Sequence, residues 1–225
     1  MAKRGVTRKQ LLKEPDEFIA FTTRAIAWCR QYPKQLTYGA CAIVAVVLII
    51  VGYGFYRNSR SQAANSLLDQ GLTKYFAEET NTEGTDDPGP DFERLVTRYG
   101  NLPAGEIGRV FFAHLNLNKG DLDEAIANYS KAMDAFSDDA SLKNIFFHGL
   151  ALANEEKGDV ATAIGYFEKI ARSESLILKD TALFHLGMLY EQTKENDKSL
   201  AAYEQLRTDF PGSLYAPMAQ EKVSG

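Results

Sequence analysis

Cysteine is almost missing from this chain. Only Cys29 and Cys41 occur among its 225 residues, and none follows residue 41. No disulfide framework or thiolate metal site can therefore form in the larger part of the sequence, and so sparse a usage suits any redox compartment. Histidine is nearly as scarce. His114, His148 and His185 have no cysteine and no second histidine at ligand spacing, so structural or surface roles suit them better than metal binding. A glycine-rich phosphate loop, a nucleophile elbow and a paired-carboxylate motif are lacking too, which points away from an enzyme and away from any cofactor. Basic excess is missing beyond residue 60: residues 61–225 carry fifteen Lys and Arg against twenty-seven Asp and Glu. That body has no electrostatic footprint for nucleic acid.

Charge of either sign is absent between Lys34 and Arg57. As a helix the uncharged stretch 35–56 spans about 33 Å, against a hydrocarbon core of about 30 Å. Its centre is the run Ile43-Val44-Ala45-Val46-Val47-Leu48-Ile49-Ile50-Val51. Each Leu, Ile or Val there favours insertion by roughly 0.3–0.6 kcal/mol, a sum that Gly39, Gly52 and Gly54 weaken without reversing. Tyr38, Tyr53 and Tyr56 stand near the ends, where amphipathic rings prefer the interface. A buried core helix is the competing reading, but one so long and so free of charge is uncommon. A cleaved signal peptide fits poorly, because Arg57 and Arg60 follow the run and no small-x-small site does. Lipidation at Tyr38-Gly39-Ala40-Cys41 is excluded by order, since the apolar run follows that cysteine. Residues 1–60 hold ten Lys and Arg against three acids, and eight of the ten precede the span. This asymmetry predicts a cytoplasmic N-terminal segment (1–34), a transmembrane helix (35–56) and a C-terminal domain outside, which in a bacterium is the periplasm. Within the first segment, Asp16–Gln31 reads as a short amphipathic helix with Phe18, Phe21, Thr22, Ala25 and Cys29 on one face. It either lies along the inner leaflet or is a partly ordered tail.

The acidic body repeats itself. Phe112-Ala113, Lys119-Gly120-Asp121, Ala125-Ile126 and Tyr129 are followed by Leu150-Ala151, Lys157-Gly158-Asp159, Ala163-Ile164 and Phe167, at an offset of 38 residues. Leu186-Gly187, Lys194-Glu195-Asn196-Asp197, Ser199-Leu200 and Tyr203 follow at an offset of 36. Such periods mark stacked helix pairs. A small residue in each first helix lets the second approach, Gly ends the first in a left-handed conformation, and Asp caps the next. The aromatic then fills the gap between the two. The expected boundaries are about 106–139, 144–177 and 180–213 within a domain over 104–223, with a short helix to about Val223 as the cap that a solenoid end requires. A degenerate pair over 61–100 precedes them. Its first helix is the stripe Ala64–Phe76, which either packs into the repeats or pairs between two copies. Its connection Asn81–Pro90 is acidic, rich in breakers and expected to be mobile.

These residues resemble the tetratricopeptide repeat family. Leu186-Gly187-Met188-Leu189-Tyr190, Ser199, Tyr203, Leu206 and Pro211 all stand where that family has them, while Asn116 and Asn154 replace a usual Tyr, and Ser137 and Ser175 a usual Pro. The resemblance implies an all-α superhelix whose concave side, built from first helices, takes other polypeptides. Val110, His114, His148, Leu152, Phe184 and Met188 are then the candidate lining, apolar and with a soft Met, suited to extended or amphipathic segments. The Lys/Asn/Arg set that clamps a C-terminal carboxylate in some members is absent. The layout as a whole, a basic head, one span and an acidic repeat domain, is similar to the ancillary Sec-translocon subunit family of bacterial inner membranes. That resemblance implies a membrane-anchored scaffold with the translocon and a periplasmic chaperone as partners, and neither nucleic acid nor a small-molecule substrate. A structural adaptor of another envelope complex, in cell division or outer-membrane assembly, is the alternative; an enzyme with an unrecognised site is the third.

Overall fold

The computed structural model describes residues 17–79, 86–136 and 138–224. Among these the chain is helical throughout, with turns and no strand. Two compact units are formed, Met1–Ser59 and Arg60–Gly225.

In the first unit α1 (Glu17–Gln31) precedes the start of α2 (Pro33–Glu79). Asp16, expected to open α1, lies outside the described residues. Pro33 suits a first helical position, where no backbone N–H is needed. The apolar stretch is entirely exposed: Ile43, Leu48, Ile49, Ile50 and Val51 each show 62–69% of their surface. Burying a side chain of this kind is worth roughly 1.5–3 kcal/mol, so eight such residues left in water are a large unmet driving force. Among the described residues this is the one helix long and apolar enough to cross a membrane, with a mean hydropathy of 2.3 over its best window. It is a candidate membrane span.

The second unit holds the rest of α2 and then α3 (Gly89–Tyr99), α4 (Pro103–Lys119), α5 (Leu122–Ala135), α6 (Ala140–Lys157), α7 (Val160–Ala171), α8 (Lys179–Gln192), α9 (Asn196–Asp209) and α10 (Ala216–Ser224). From α3 onward each helix packs on the next, which is the nearest-neighbour stacking of a repeat solenoid. The stripe Ala64–Phe76 packs into these repeats. Ala64, Phe92, Leu95, Ala104 and Leu115 form one core, and the Phe92 ring lies against the Cα of Gly71. Lys74 reaches the buried Asp91 at 2.6 Å. Of the connection predicted over Asn81–Pro90, residues 81–85 lie outside the described residues; Gly89 and Pro90 belong to α3, Pro88 is buried, and the Gly89 N–H donates to Asp87 Oδ1 at 2.8 Å.

The turns follow the local chemistry. Gly120 and Gly158 end α4 and α6 at φ 82° and 85°, with the Asp121 and Asp159 N–H groups donating to Asn116 O and Asn154 O at 2.8 Å. Lys194 does the same work at φ 64°, and the Glu195 N–H donates to Tyr190 O at 2.8 Å. Asp159 caps α7 through the Thr162 N–H, whereas Asp121 makes no side-chain capping bond to α5. Inside each pair the predicted small residues and aromatics meet. Ala125, Ala163, Tyr129, Phe167 and Tyr203 are all buried, and the Ser199 hydroxyl donates to Gly187 O at 2.8 Å. At the C-terminal end Ala219 of α10 is fully buried against Leu183, Tyr203 and Leu206.

Candidate protein-binding face

Offsets of 38 and 36 residues set first-helix positions in register. Val110, His148 and Phe184 share one level of α4, α6 and α8; His114, Leu152 and Met188 share the next, one turn on. All six are half-buried. They do not form one uniform lining. Val110 packs on the core between α4 and α6, and Leu152 touches the cores on both sides of α6. Phe184 stacks on Tyr215 at 4.5 Å between ring centres, and with Met188 it packs in the cluster that α10 closes. The last repeat's share of the face is thus partly occupied by the chain's own cap. The level before the six is more open. Ile107 and Ile145, three residues ahead of Val110 and His148, are 39% and 38% exposed.

Sequence reasoning missed a set of rings that joins these helices. Tyr75 of α2 meets Phe111 at 5.1 Å and His114 at 6.2 Å, edge to face, and Phe92 stacks on Phe111 at 5.6 Å. The His114 Nδ1 lies 3.4 Å from the Tyr129 hydroxyl. Further along, His185 of α8 stacks on Phe167 at 4.7 Å, stands 6.3 Å from His148, and has its Nδ1 3.1 Å from Glu155. Aromatic pairs in these geometries add about 0.5–1.5 kcal/mol each beyond area burial. The signal was present in the repeat register: His148 and His185 sit 37 residues apart, close to one period, so they face each other across a repeat boundary. Burial is the main influence on His148 and pulls its pKa down to about 4, with the His185 and His114 rings acting in the same direction and Glu155 against it. Burial likewise pushes the Tyr129 phenol above its usual range. His148 is therefore a neutral, packed ring at physiological pH. Among the described residues no group of three His, Cys, Asp or Glu is placed to hold a metal ion.

The face is a run of half-buried apolar and aromatic side chains on successive first helices, bordered on α6 by Glu155 and the exposed Glu156. It offers shape and apolar surface, not reacting groups. A family model described as a tetratricopeptide repeat-like domain matches residues 27–175, about two-thirds of the chain, and one described as a tetratricopeptide repeat matches 181–213. The chain belongs to the tetratricopeptide repeat-like domain family. The first match begins at residue 27, so the apolar stretch of α2 lies inside the pattern that defines this repeat-like domain. The second covers α8 and α9, the pair whose sequence stands nearest to the repeat consensus. No curated protein matches the chain. Tetratricopeptide repeats are protein-interaction modules, and the face described here has the composition of one.

Proposed function

We propose that this tetratricopeptide repeat-like protein is a membrane-anchored scaffold that holds other polypeptides against its first helices. Residues 35–56 of α2 sit in lipid, the basic segment 1–34 stays in the cytoplasm, and the acidic repeats lie in the periplasm of a bacterial inner membrane. One observation supports the reading above others: exposed apolar surface recurs at one repeat level, at Ile107 and Ile145, beside the half-buried Val110, His114, His148 and Leu152. Apolar side chains held in register along stacked helices suit an extended or amphipathic polypeptide. The basic head, single span and acidic body favour service at the Sec translocon, with the channel and a periplasmic chaperone as partners. Crosslinking in intact cells tests this. Adducts with a translocon component or a periplasmic chaperone are expected. Adducts confined to cell-division or outer-membrane assembly components would transfer the scaffold to that machinery, and a repeat domain that resists protease added to spheroplasts would overturn its placement outside.

A further inference from the structure

A cleft of about 690 Å³ opens where α3, the second half of α4 and the start of α5 meet, and it contains none of the six first-helix candidates. We propose that this cleft is a second docking site, specific for a polypeptide segment that carries lysine or arginine beside an apolar side chain. Its charge is one-sided. Glu93, Asp121, Asp123 and Glu124 line it, and neither Lys nor Arg is among its lining residues. Val96, Phe112 and Leu122 supply an apolar wall, so an occupant needs both a cation and something to bury.

Two comparisons with the next repeat show that the side chains of Asn116 and Asp121 do not make the helix-holding bonds that their counterparts make. Asn154 donates its side-chain amide to Leu150 O at 2.6 Å, while Asn116, 38 residues earlier and only 6% exposed, lines the cleft, and its amide nitrogen, closed off from solvent, has no partner. Asp159 caps its helix through Thr162, while Asp121, again 38 residues earlier, makes no capping bond and stands on the rim. The positions matching Asp123 and Glu124 are Ala161 and Thr162 in the next repeat and Asp197 and Lys198 in the third, so only this repeat carries an acid at both. A buried amide donor without an acceptor is costly, and a turn of the Asn116 side chain toward the cleft would give it one on an occupant's backbone carbonyl. The rim already attracts an amine from this chain: Lys157 of α6 pairs with Asp123. Glu124 is engaged on one oxygen only, at 3.3 Å from the Asn128 amide. The site is separate from the first-helix face, so either can fail without the other.

The test uses the full chain in a non-ionic detergent, with Cys29 and Cys41 replaced by alanine. It is titrated with a fluorescent peptide of alternating lysine and leucine, and with a glutamate-leucine counterpart. The lysine peptide is expected to bind and the glutamate peptide to stay free. Asp121→Asn combined with Glu124→Gln is expected to weaken the lysine peptide about tenfold, the scale on which paired rim charges act. A photoreactive label on Thr97→Cys, at the cleft, is expected to crosslink that peptide, whereas the same label on Thr208→Cys of α9 is not. Unchanged affinity in the folded double variant, or equal crosslinking from positions 97 and 208, overturns the site.

Discussion

Gly187 and Gly165 illustrate how much one hydrogen can decide. A Cβ at Gly187 would collide with the Tyr203 ring, which fills the space between α8 and α9, and a Cβ at Gly149 would collide in the same way with Tyr129. Nothing lies within 4 Å of a Cβ at Gly165, which sits inside α7. Gly187→Ala is therefore expected to lower stability by about 1–3 kcal/mol through overpacking. Gly165→Ala is expected to raise it by about 0.5–1 kcal/mol, because the helix loses a flexible residue without gaining a clash. Thermal melts of the two variants check this, and a fall in both would contradict it. His148 adds a pH dependence with a definite sign. Its native pKa, about 4, lies below the unfolded value of 6.5, so above 6.5 both states are neutral and the residue contributes nothing. Between 6.5 and about 4 the unfolded chain binds the proton and the native one does not, so stability falls as the pH falls, by on the order of 3 kcal/mol. His148→Leu should flatten the upper part of that window, which melting temperatures at pH 7 and 5 would reveal.

At the scale of the element, the turns were the most legible part of the sequence, because Lys-Gly-Asp requires a left-handed glycine and supplies a capping acid in three residues. The first two pairs use the glycine as expected. The third lacks it, and there Lys194 carries φ 64°. A left-handed conformation costs an L-residue roughly 1–2 kcal/mol, so Lys194→Gly is expected to stabilise the protein by about 1 kcal/mol, readable as a higher denaturant midpoint. The same substitution at an ordinary helical lysine has the opposite sign. Less legible was anything that depends on how one repeat meets another. Val110, His114, His148, Leu152, Phe184 and Met188 were chosen by register, and register correctly groups them by level. It does not reveal that Tyr215 and α10 pack on Phe184 and Met188 of the last repeat, because a cap has no repeat partner to be aligned with. The His148–His185 contact escaped for a related reason: each ring looks isolated within its own helix, and their 37-residue spacing falls one residue off the 36-residue offset by which the two helices are aligned. Pro88, Gly89 and Pro90 read as loop by composition, yet Pro at the first turn starts α3, and the turn is drawn inward by the Lys74–Asp91 pair.

For the whole molecule, two properties stand out: an apolar helix that no described residue of its own unit covers, and helix pairs whose first helices keep apolar side chains in register. The first asks for lipid and the second for polypeptide, and α2 contributes to both units by sequence, from Pro33 in one to Glu79 in the other. The net charges of the two parts, positive before residue 60 and negative after it, are consistent with opposite faces of a membrane, a proposal that rests on the Lys and Arg asymmetry. The most direct test of the scaffold reading places a photoreactive residue at Asn118, one turn beyond His114 on α4, in native membranes. It compares the unaltered face with Ile107→Glu plus Ile145→Glu. Both isoleucines are more than a third exposed, so the variant is expected to stay folded, which its melting curve checks. The predicted result is a set of adducts with other polypeptides that falls at least about tenfold in the glutamate variant, as expected for charge placed in the apolar centre of an interface. Adducts of equal yield in both proteins, or a face that captures nothing in either, would contradict it.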